Sequence, residues 1–322
     1  MESLGEYVDT PAQVAPTSIE CLKLRPNFQS PLDPKQHKLA EVLTDYSFER
    51  QAPCGLSTCQ QGHFRGFLVR TESGVETNIG HVCGKKHFGV DFDTASAKYR
   101  REEERRVTVG RLRGLQGESP RVLHQIRELM MRRFGVRWMF SVRDAVRAQV
   151  GGPGFEHLKA RSFKRDYTVI RVKERTESEI QAEIKRSGGK RDELRYMNER
   201  LGEIAPLEWT SWDLKAELLV PLRDEFQALS ELDPSQMETK DLKRRLKRFD
   251  GWELRIPNAE SILSQVIRFL DTSNLRVVDL ALEEFRVLAR ISTPLPCLSK
   301  WSGSAEYAQL LTGAYREGQV LG

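Results

Sequence analysis

The chain has 322 residues, of which 39% are apolar and 30% are charged, with a formal net charge of +5. This length and composition exclude a mainly disordered chain, and they are sufficient for two or three folded domains. No stretch reaches the roughly 18 apolar residues that span a bilayer, and residues 1–17 lack the pattern of a secretory signal. We therefore expect a cytoplasmic protein, or a nuclear one in a eukaryote, with no membrane partner.

The N-terminal region divides into a leader and a short proline-containing segment. Residues 1–17 are small and polar with two prolines, which predicts a flexible leader. The next segment carries three prolines and an apolar run at 38–43, which we interpret as a short helix. This segment opens a predicted domain of residues 18–150 that contains a metal-binding module and an Arg-rich helical part.

Three of the five cysteines and three of the six histidines fall within residues 54–87. They are Cys54, Cys59 and Cys83, together with His63, His81 and His87. Such clustering in a chain with few cysteines favours a metal site over a disulfide framework. Thiolates and imidazole suit Zn²⁺, and four protein ligands would leave no open position for substrate. We expect one structural zinc ion, and we assign no role to Cys21 and Cys297.

The layout of this segment resembles the treble-clef zinc finger. Cys54 and Cys59 form a Cys-x4-Cys pair, strand-like runs at 64–70 and 75–82 flank a Glu-Ser-Gly turn, and Cys83 begins a Cys-x3-His pair. The resemblance implies that the first pair lies on a turn and the second on a helix. Positions four apart on a helix share a face, which favours His87 as the fourth ligand over His63. The Cys-x4-Cys spacing is wider than the two-residue gap usual in such turns.

Helical patterns follow the metal-binding segment. Asp93 or Thr94 can cap a charged helix over 97–112, which Gly114 and Gly117 are expected to end. A second helix is predicted from Pro120. The sequence GGPG at 151–154 is a linker signal, so we place a domain boundary there.

Basic charge is concentrated in one part of the chain. The net charge is −3 over residues 1–97, +11 over 98–165 and −3 over 166–322. Arginine dominates, and guanidinium groups match phosphate geometry, so this segment is predicted to contact a nucleic-acid backbone, DNA rather than RNA. Glutamates at 102–104 could instead form ion pairs along a solvated helix face. The candidate nucleic-acid-binding residues are Lys85, Lys86, Arg100, Arg101, Arg105, Arg106, Arg111 and Arg113.

The predicted C-terminal domain, residues 155–322, is mainly helical. A short strand is expected at 167–172. Apolar residues recur at spacings of three and four from Leu194 to Ile204 and again from Leu218 to Leu232. These two stripes predict two amphipathic helices, which could pair as a hairpin across 206–211. More apolar helical segments at 262–270 and 277–291 would supply a core. The expected fold is therefore mainly α, with a small α+β treble-clef-like finger followed by helical-bundle or coiled-coil-like domains.

Three classes of function are compatible with these features. We favour a non-enzymatic, zinc-stabilised nucleic-acid-binding or regulatory protein. The alternative is a protein-interaction adaptor or scaffold, in which the finger and the C-terminal helices bind a partner or form a homodimer. A metal-dependent nuclease is a third reading, with His63 or His81 as base, but no acidic or Asn partner has a suitable spacing. The sequence carries no phosphate-binding loop and no nucleophile elbow, and no catalytic residue is assigned.

Overall fold

The structure is a computed structural model that describes residues 16–59, 61–292 and 297–313. It is mostly helical with a small antiparallel sheet near the N-terminus, which confirms the expected class. The chain forms two compact units. The first unit is Met1–Gly114 with Asp233–Leu246, and the second is Leu115–Leu232 with Lys247–Gly322. Of the predicted flexible leader, residues 1–15 lie outside the described residues.

The first unit contains one three-stranded antiparallel sheet in the order β1-β2-β3. The predicted hairpin is present, with residues 72–74 turning between β2 and β3, and a third strand precedes it. The prediction of a helix at 38–43 was wrong because this run pairs with β2, with Leu39 opposite Thr71 and Val42 opposite Val69. The elements are α1 (Ile19–Lys23), β1 (Leu39–Pro53), β2 (Gly62–Thr71) and β3 (Glu76–Ile79).

Both faces of the sheet are covered. Phe67 and Val69 of β2 point into a cluster that includes Phe92, whereas Leu68 points into a second cluster with Leu22 of α1. Successive side chains of a strand lie on opposite faces, so a strand buried on both faces reads as a continuous apolar run. The run Phe67-Leu68-Val69 has this property, and the sheet is therefore a rigid support for the loops at its ends.

A long helix, α2 (His81–Met131), follows the sheet and continues from the first unit into the second. Its start is earlier than the predicted cap at Asp93 or Thr94. Gly89 has φ 54° and ψ −127°, so the helix is broken there into two segments. The predicted ends at Gly114 and Gly117 are absent, because buried positions at Leu112 and Ser119 recur across the two glycines and packing outweighs their low helix propensity.

The second unit begins within α2 and contains α3 (Val136–Lys164), which has a break at Gly151 (φ 71°, ψ 170°). The predicted linker at 151–154 lies at this break, and the chain on both of its sides belongs to the second unit. The predicted strand at 167–172 is present as β4 (Thr168–Glu174). It pairs with β5 (Tyr196–Glu203), where we had predicted a helix. The predicted helical hairpin is therefore absent.

The remaining helical segments belong to the second unit, except for α6, which belongs mainly to the first. The stripe that begins at Leu218 is helical, as predicted, and Leu218, Leu222, Phe226 and Leu229 are all buried within the second unit. Within the described residues, no helix combines the length and the apolarity needed to cross a lipid bilayer. In chain order the segments are α4 (Glu177–Ser187), a π-helical stretch (Lys215–Asp224), α5 (Glu225–Ser230), α6 (Thr239–Lys247), α7 (Arg255–Phe269), α8 (Thr272–Leu288), α9 (Leu298–Trp301) and α10 (Ala305–Leu311).

Candidate metal centre

The sulfur atoms of Cys54, Cys59 and Cys83 lie within 4.8 Å of one another, and they form a group that could hold a metal ion. Cys54 follows the end of β1, Cys59 lies in the turn before β2, and Cys83 lies in the first turn of α2. The Cys54 side chain is buried and the other two are half-buried. Residues that are 29 positions apart in sequence thus meet because the β2-β3 hairpin returns the chain to the turn of residues 54–59.

The spacing of the sulfurs is near that of thiolates on one tetrahedral ion, with the Cys59–Cys83 pair shorter by about 0.8 Å. Thiolates bound to zinc at about 2.3 Å lie about 3.8 Å from one another, and the three sulfurs are within 4.8 Å. The sulfurs of Cys83 and Cys59 are 3.0 Å apart, and all described cysteines are free thiols. A thiol-rich donor set suits zinc or another soft cation better than magnesium or calcium. The three side chains could therefore hold a metal ion together.

The thiols influence one another's ionisation. Burial raises the pKa of Cys54, and burial together with donation to Cys59 raises the pKa of Cys83 to about 12. The hydrogen bond donated by Cys83 lowers the pKa of Cys59, and the Lys86 ammonium adds to this effect. Three close thiolates repel one another, so a bound cation is needed for all three to ionise together.

Asn78 of β3 holds both residues that flank Cys54. Its side-chain amide donates to the Pro53 carbonyl oxygen at 2.8 Å, and its backbone carbonyl accepts from the Gly55 amide at 2.7 Å. Asn78 is fully buried. Backbone groups of Leu56 and Gly80 lower the pKa of the Cys54 thiol, against the larger opposite effect of its burial. This outer layer fixes the orientation of the buried ligand, as outer-shell groups do at metal sites.

The backbone amides of Gly55 and Gly84 donate to carbonyl oxygens rather than to sulfur. The Gly55 amide donates to Asn78, and the Gly84 amide donates to the Gly80 carbonyl oxygen. A Cβ on Gly55 would lie 2.9 Å from the Asn78 carbonyl oxygen, and one on Gly84 would lie 2.6 Å from the Phe92 ring. Both positions require glycine because the backbone is packed directly against a neighbour.

His63 is engaged away from the sulfurs. Its Nε2 lies 2.6 Å from the Tyr46 hydroxyl, and its Nδ1 lies 3.3 Å from the Gln61 carbonyl oxygen. The Asn78 amide also donates to the Tyr46 hydroxyl. Burial lowers the pKa of His63, so the ring is neutral and links the sheet to the turn. With both nitrogens occupied, His63 has no nitrogen available as a ligand or a base in this arrangement.

His87 lies closer to the turn of residues 54–59. Its Nε2 is 3.2 Å from Thr58 Oγ1, next to Cys59, and the residue is one helical turn after Cys83. His87 is not part of the group whose donor atoms lie within 4.8 Å. His81 packs against Phe67 and Phe92, with ring centroids at 6.4 and 5.8 Å. The structure thus groups the three thiols and leaves the fourth ligand undetermined.

Replacing Asn78 by alanine is expected to destabilise the first unit by about 2 kcal/mol, because the Pro53 carbonyl and the buried Tyr46 side chain each lose a donor. The measurement is urea denaturation followed by far-UV circular dichroism. Asn258→Ala, at an exposed position of α7, is the matched control and should change stability by less than about 0.5 kcal/mol. Equal stability of the two variants would contradict the role given to Asn78.

The basic residues singled out in the sequence fall into two groups. Arg105 donates to backbone carbonyls of Ser235 and Met237, and Arg106 forms a two-point ion pair with Glu103 at 2.6 and 2.8 Å. Lys85 lies 3.8 Å from Asp93. The others are exposed: Lys86, Arg100, Arg101, Arg111 and Arg113.

Comparison of the chain with models of protein families, with curated proteins and with solved structures found no match. Its function therefore has to be inferred from the cysteine group and from the surface of the unit that carries it. Both features lie in the first unit.

Proposed function

We propose that the protein is a non-enzymatic nucleic-acid-binding protein whose first unit is stabilised by one structural zinc ion. Cys54, Cys59, Cys83 and His87 are the proposed ligands. A turn with two cysteines, a β-hairpin and a helix whose first turn carries a cysteine follow one another in the treble-clef order. The observation that carries the zinc proposal is the convergence of three thiols from three elements.

His87 is the preferred fourth ligand for two geometric reasons. Its position one turn after Cys83 places both side chains on the same helix face. Its ring already contacts Thr58, the neighbour of Cys59, so it lies beside the turn that carries two of the three sulfurs. His63 would first have to break its hydrogen bonds to Tyr46 and Gln61.

Support for nucleic-acid binding comes from the exposed arginines of α2. Within residues 16–59, 61–292 and 297–313, Arg100, Arg101 and Arg111 are exposed and form no ion pair. Their charges remain available to phosphate groups, which bind guanidinium through paired hydrogen bonds. In this proposal zinc stabilises the first segment of α2, before the break at Gly89, and the three arginines lie on the segment that follows the break.

Several arginines of the second unit are engaged within the fold. Arg132 pairs with Glu260 at 3.1 Å, Arg133 donates to the Thr312 carbonyl oxygen, and Arg143 lies 4.1 Å from the Phe140 ring centroid. These contacts are formed inside the second unit. We therefore place the proposed nucleic-acid contacts on residues 98–113 rather than on the whole basic segment of residues 98–165.

The test is the affinity of the full chain for a 20-base-pair DNA duplex, measured by fluorescence anisotropy. Three phosphate contacts predict an affinity loss of about 40-fold between 50 and 200 mM salt. Replacing Arg100, Arg101 and Arg111 together by alanine should weaken binding at least tenfold and reduce this salt dependence.

The matched control changes three other exposed arginines to alanine. These are Arg171, Arg268 and Arg276 of the second unit, which form no ion pair among the described residues. The control keeps the net charge equal to that of the α2 variant. An affinity that is insensitive to salt, or an equal loss in the control, would contradict the proposal.

A further inference from the structure

A second basic helix, α6, belongs to the same unit as the exposed arginines of α2. Five of the nine residues of α6 are lysine or arginine, and Asp241 is its one acidic residue. The net charge of residues 166–322 is −3, so a charge count over that whole segment does not reveal the basic helix α6. Residues 98–113 of α2 and helix α6 are distant in sequence, but both belong mainly to the first unit.

The cations of α6 share one face. Leu242 is fully buried and Leu246 is half-buried, and these two positions lie on the same side of the helix. The exposed side chains occupy the opposite arc, at spacings of three and four residues. They are Lys240, Lys243, Arg244 and Lys247.

Side-chain contacts attach α6 to α2 within the first unit. The Arg105 guanidinium donates to the carbonyl oxygens of Ser235, at 2.6 Å, and of Met237, both just before α6. Lys243 of α6 forms an ion pair with Glu104 of α2. Two adjacent residues of α2 therefore hold the start and the middle of the α6 segment.

The face of α2 that reaches α6 continues the basic surface. Lys98, Arg101 and Arg105 recur at spacings of three and four, so they lie on one side of the helix. Lys98 and Arg101 are exposed, and the Lys98–Glu102 pair is long, at 3.9 Å. One turn of helix, about 5.4 Å, separates Arg101 from the Arg105 contact. Glu104, which pairs with Lys243 of α6, follows Arg101 by three residues, so the cations of both helices lie in the same part of the first unit.

We propose that Lys98 and Arg101 of α2, with Lys240 and Arg244 of α6, form a two-helix surface that binds the phosphate backbone of a nucleic-acid duplex. This inference rests on the proposed function and identifies the surface and the form of the ligand. Lys240 and Arg244 are about 6 Å apart along the helix, close to the length of two base-pair steps.

The chemistry of the surface distinguishes a duplex from other polyanions. A membrane-binding amphipathic helix inserts an apolar face into lipid, whereas the apolar face of α6 is buried in the protein. Single strands bind through stacking on exposed aromatic rings, and neither α6 nor the exposed positions of residues 98–113 carry one, since Tyr99 is half-buried and bonded to Asp45. Charge without stacking groups favours contacts along a duplex backbone.

The experiment compares the full chain with the Lys240→Glu/Arg244→Glu variant on duplex DNA, duplex RNA, single-stranded DNA and anionic vesicles. The variant should bind the duplex at least tenfold more weakly and with a salt slope smaller by about two. A neutral variant, Lys240→Gln/Arg244→Gln, should lose affinity in the same direction, and circular dichroism checks that both are folded.

The matched control is Lys185→Glu/Arg186→Glu in α4, because Arg186 and Arg244 form similar ion pairs with a carboxylate three residues earlier, both at 2.8 Å. The control should bind like the unchanged protein. Duplex binding that is unaffected by the α6 changes would overturn this inference and leave the proposed function standing. Absence of any nucleic-acid binding by the unchanged protein would overturn both. Equal binding of single strands or vesicles would overturn the duplex assignment.

Discussion

Replacing Cys83 by serine, or removing metal with a strong chelator, is expected to unfold the region around the sheet of the first unit. Cys54, Cys59 and Cys83 all contact the hydrophobic cluster that contains Phe67 and Phe92, so loss of the ion separates the turn, the hairpin and the helix start. Structural zinc contributes about 10–16 kcal/mol of apparent binding free energy in small zinc modules. That is comparable with the entire stability of a domain, about 5–15 kcal/mol. The measurement is amide hydrogen exchange of residues 62–88, alongside thermal melting.

Cys21→Ser is the matched control for this prediction. Cys21 is exposed and bonds only to Thr17 and Ser18 among the described residues, so its replacement should leave both the melting curve and the exchange rates unchanged. A melting curve that does not move on addition of chelator, together with a Cys83→Ser variant as protected as the unchanged chain, would rule out a structural metal.

Glu76→Ala is expected to lower the free energy of unfolding by about 3 kcal/mol, the second largest of the expected effects. The Glu76 side chain is 3% exposed, and its carboxylate lies 2.6 Å from the Arg25 guanidinium and 2.9 Å from that of Arg70. Removing it leaves two partly buried guanidinium groups without their common partner, and breaking such a pair is costly. The measurement is the free energy of unfolding from urea titration at pH 7.

Glu41→Ala supplies the control because Glu41 also pairs with Arg70, at 2.7 Å, but is 52% exposed. Exposed pairs contribute less than about 1 kcal/mol. If both variants lose the same stability, burial is not what makes the Glu76 pair important.

The same carboxylate predicts a pH dependence. Burial alone would raise the pKa of Glu76, but the hydrogen bonds and charges of Arg25 and Arg70 outweigh it and hold the pKa below its usual value. A depressed pKa in the folded state stabilises the fold above the unfolded-state pKa, about 4.3, and this contribution is lost as the pH falls through the folded-state pKa. Glu76→Gln should therefore flatten the loss of stability below pH 4.3. An unchanged pH profile would contradict this assignment.

The sequence was most informative where chemistry or a turn is local. The three cysteines stand out by type, and the Glu-Ser-Gly turn marks the β2-β3 hairpin, so both were predictable from short spans. The treble-clef resemblance placed Cys83 and His87 on a helix, as α2 has them, whereas the capping signals at Asp93 or Thr94 lie beyond the break at Gly89 and do not mark the start at His81. Local capping signals compete with tertiary packing, and here packing determined the boundary.

Most of the structural features that the sequence did not predict depend on contacts between residues that are distant in sequence. The run at 38–43 is part of a strand that pairs with β2. Residues 196–203 form a strand that pairs with β4, although their apolar spacing fits a helix. Charge counting could not show that Arg105 binds the segment before α6. Each of these features depends on residues distant in sequence, which periodicity does not report.

Zinc held by three thiolates and one imidazole is tested most directly by zinc K-edge X-ray absorption of the full chain purified without chelator. We predict one zinc per chain with three sulfur neighbours at about 2.3 Å and one nitrogen at about 2.0–2.1 Å. A shell made only of oxygen and nitrogen, or a zinc-free protein in which Cys59 and Cys83 are joined as a disulfide, would contradict it.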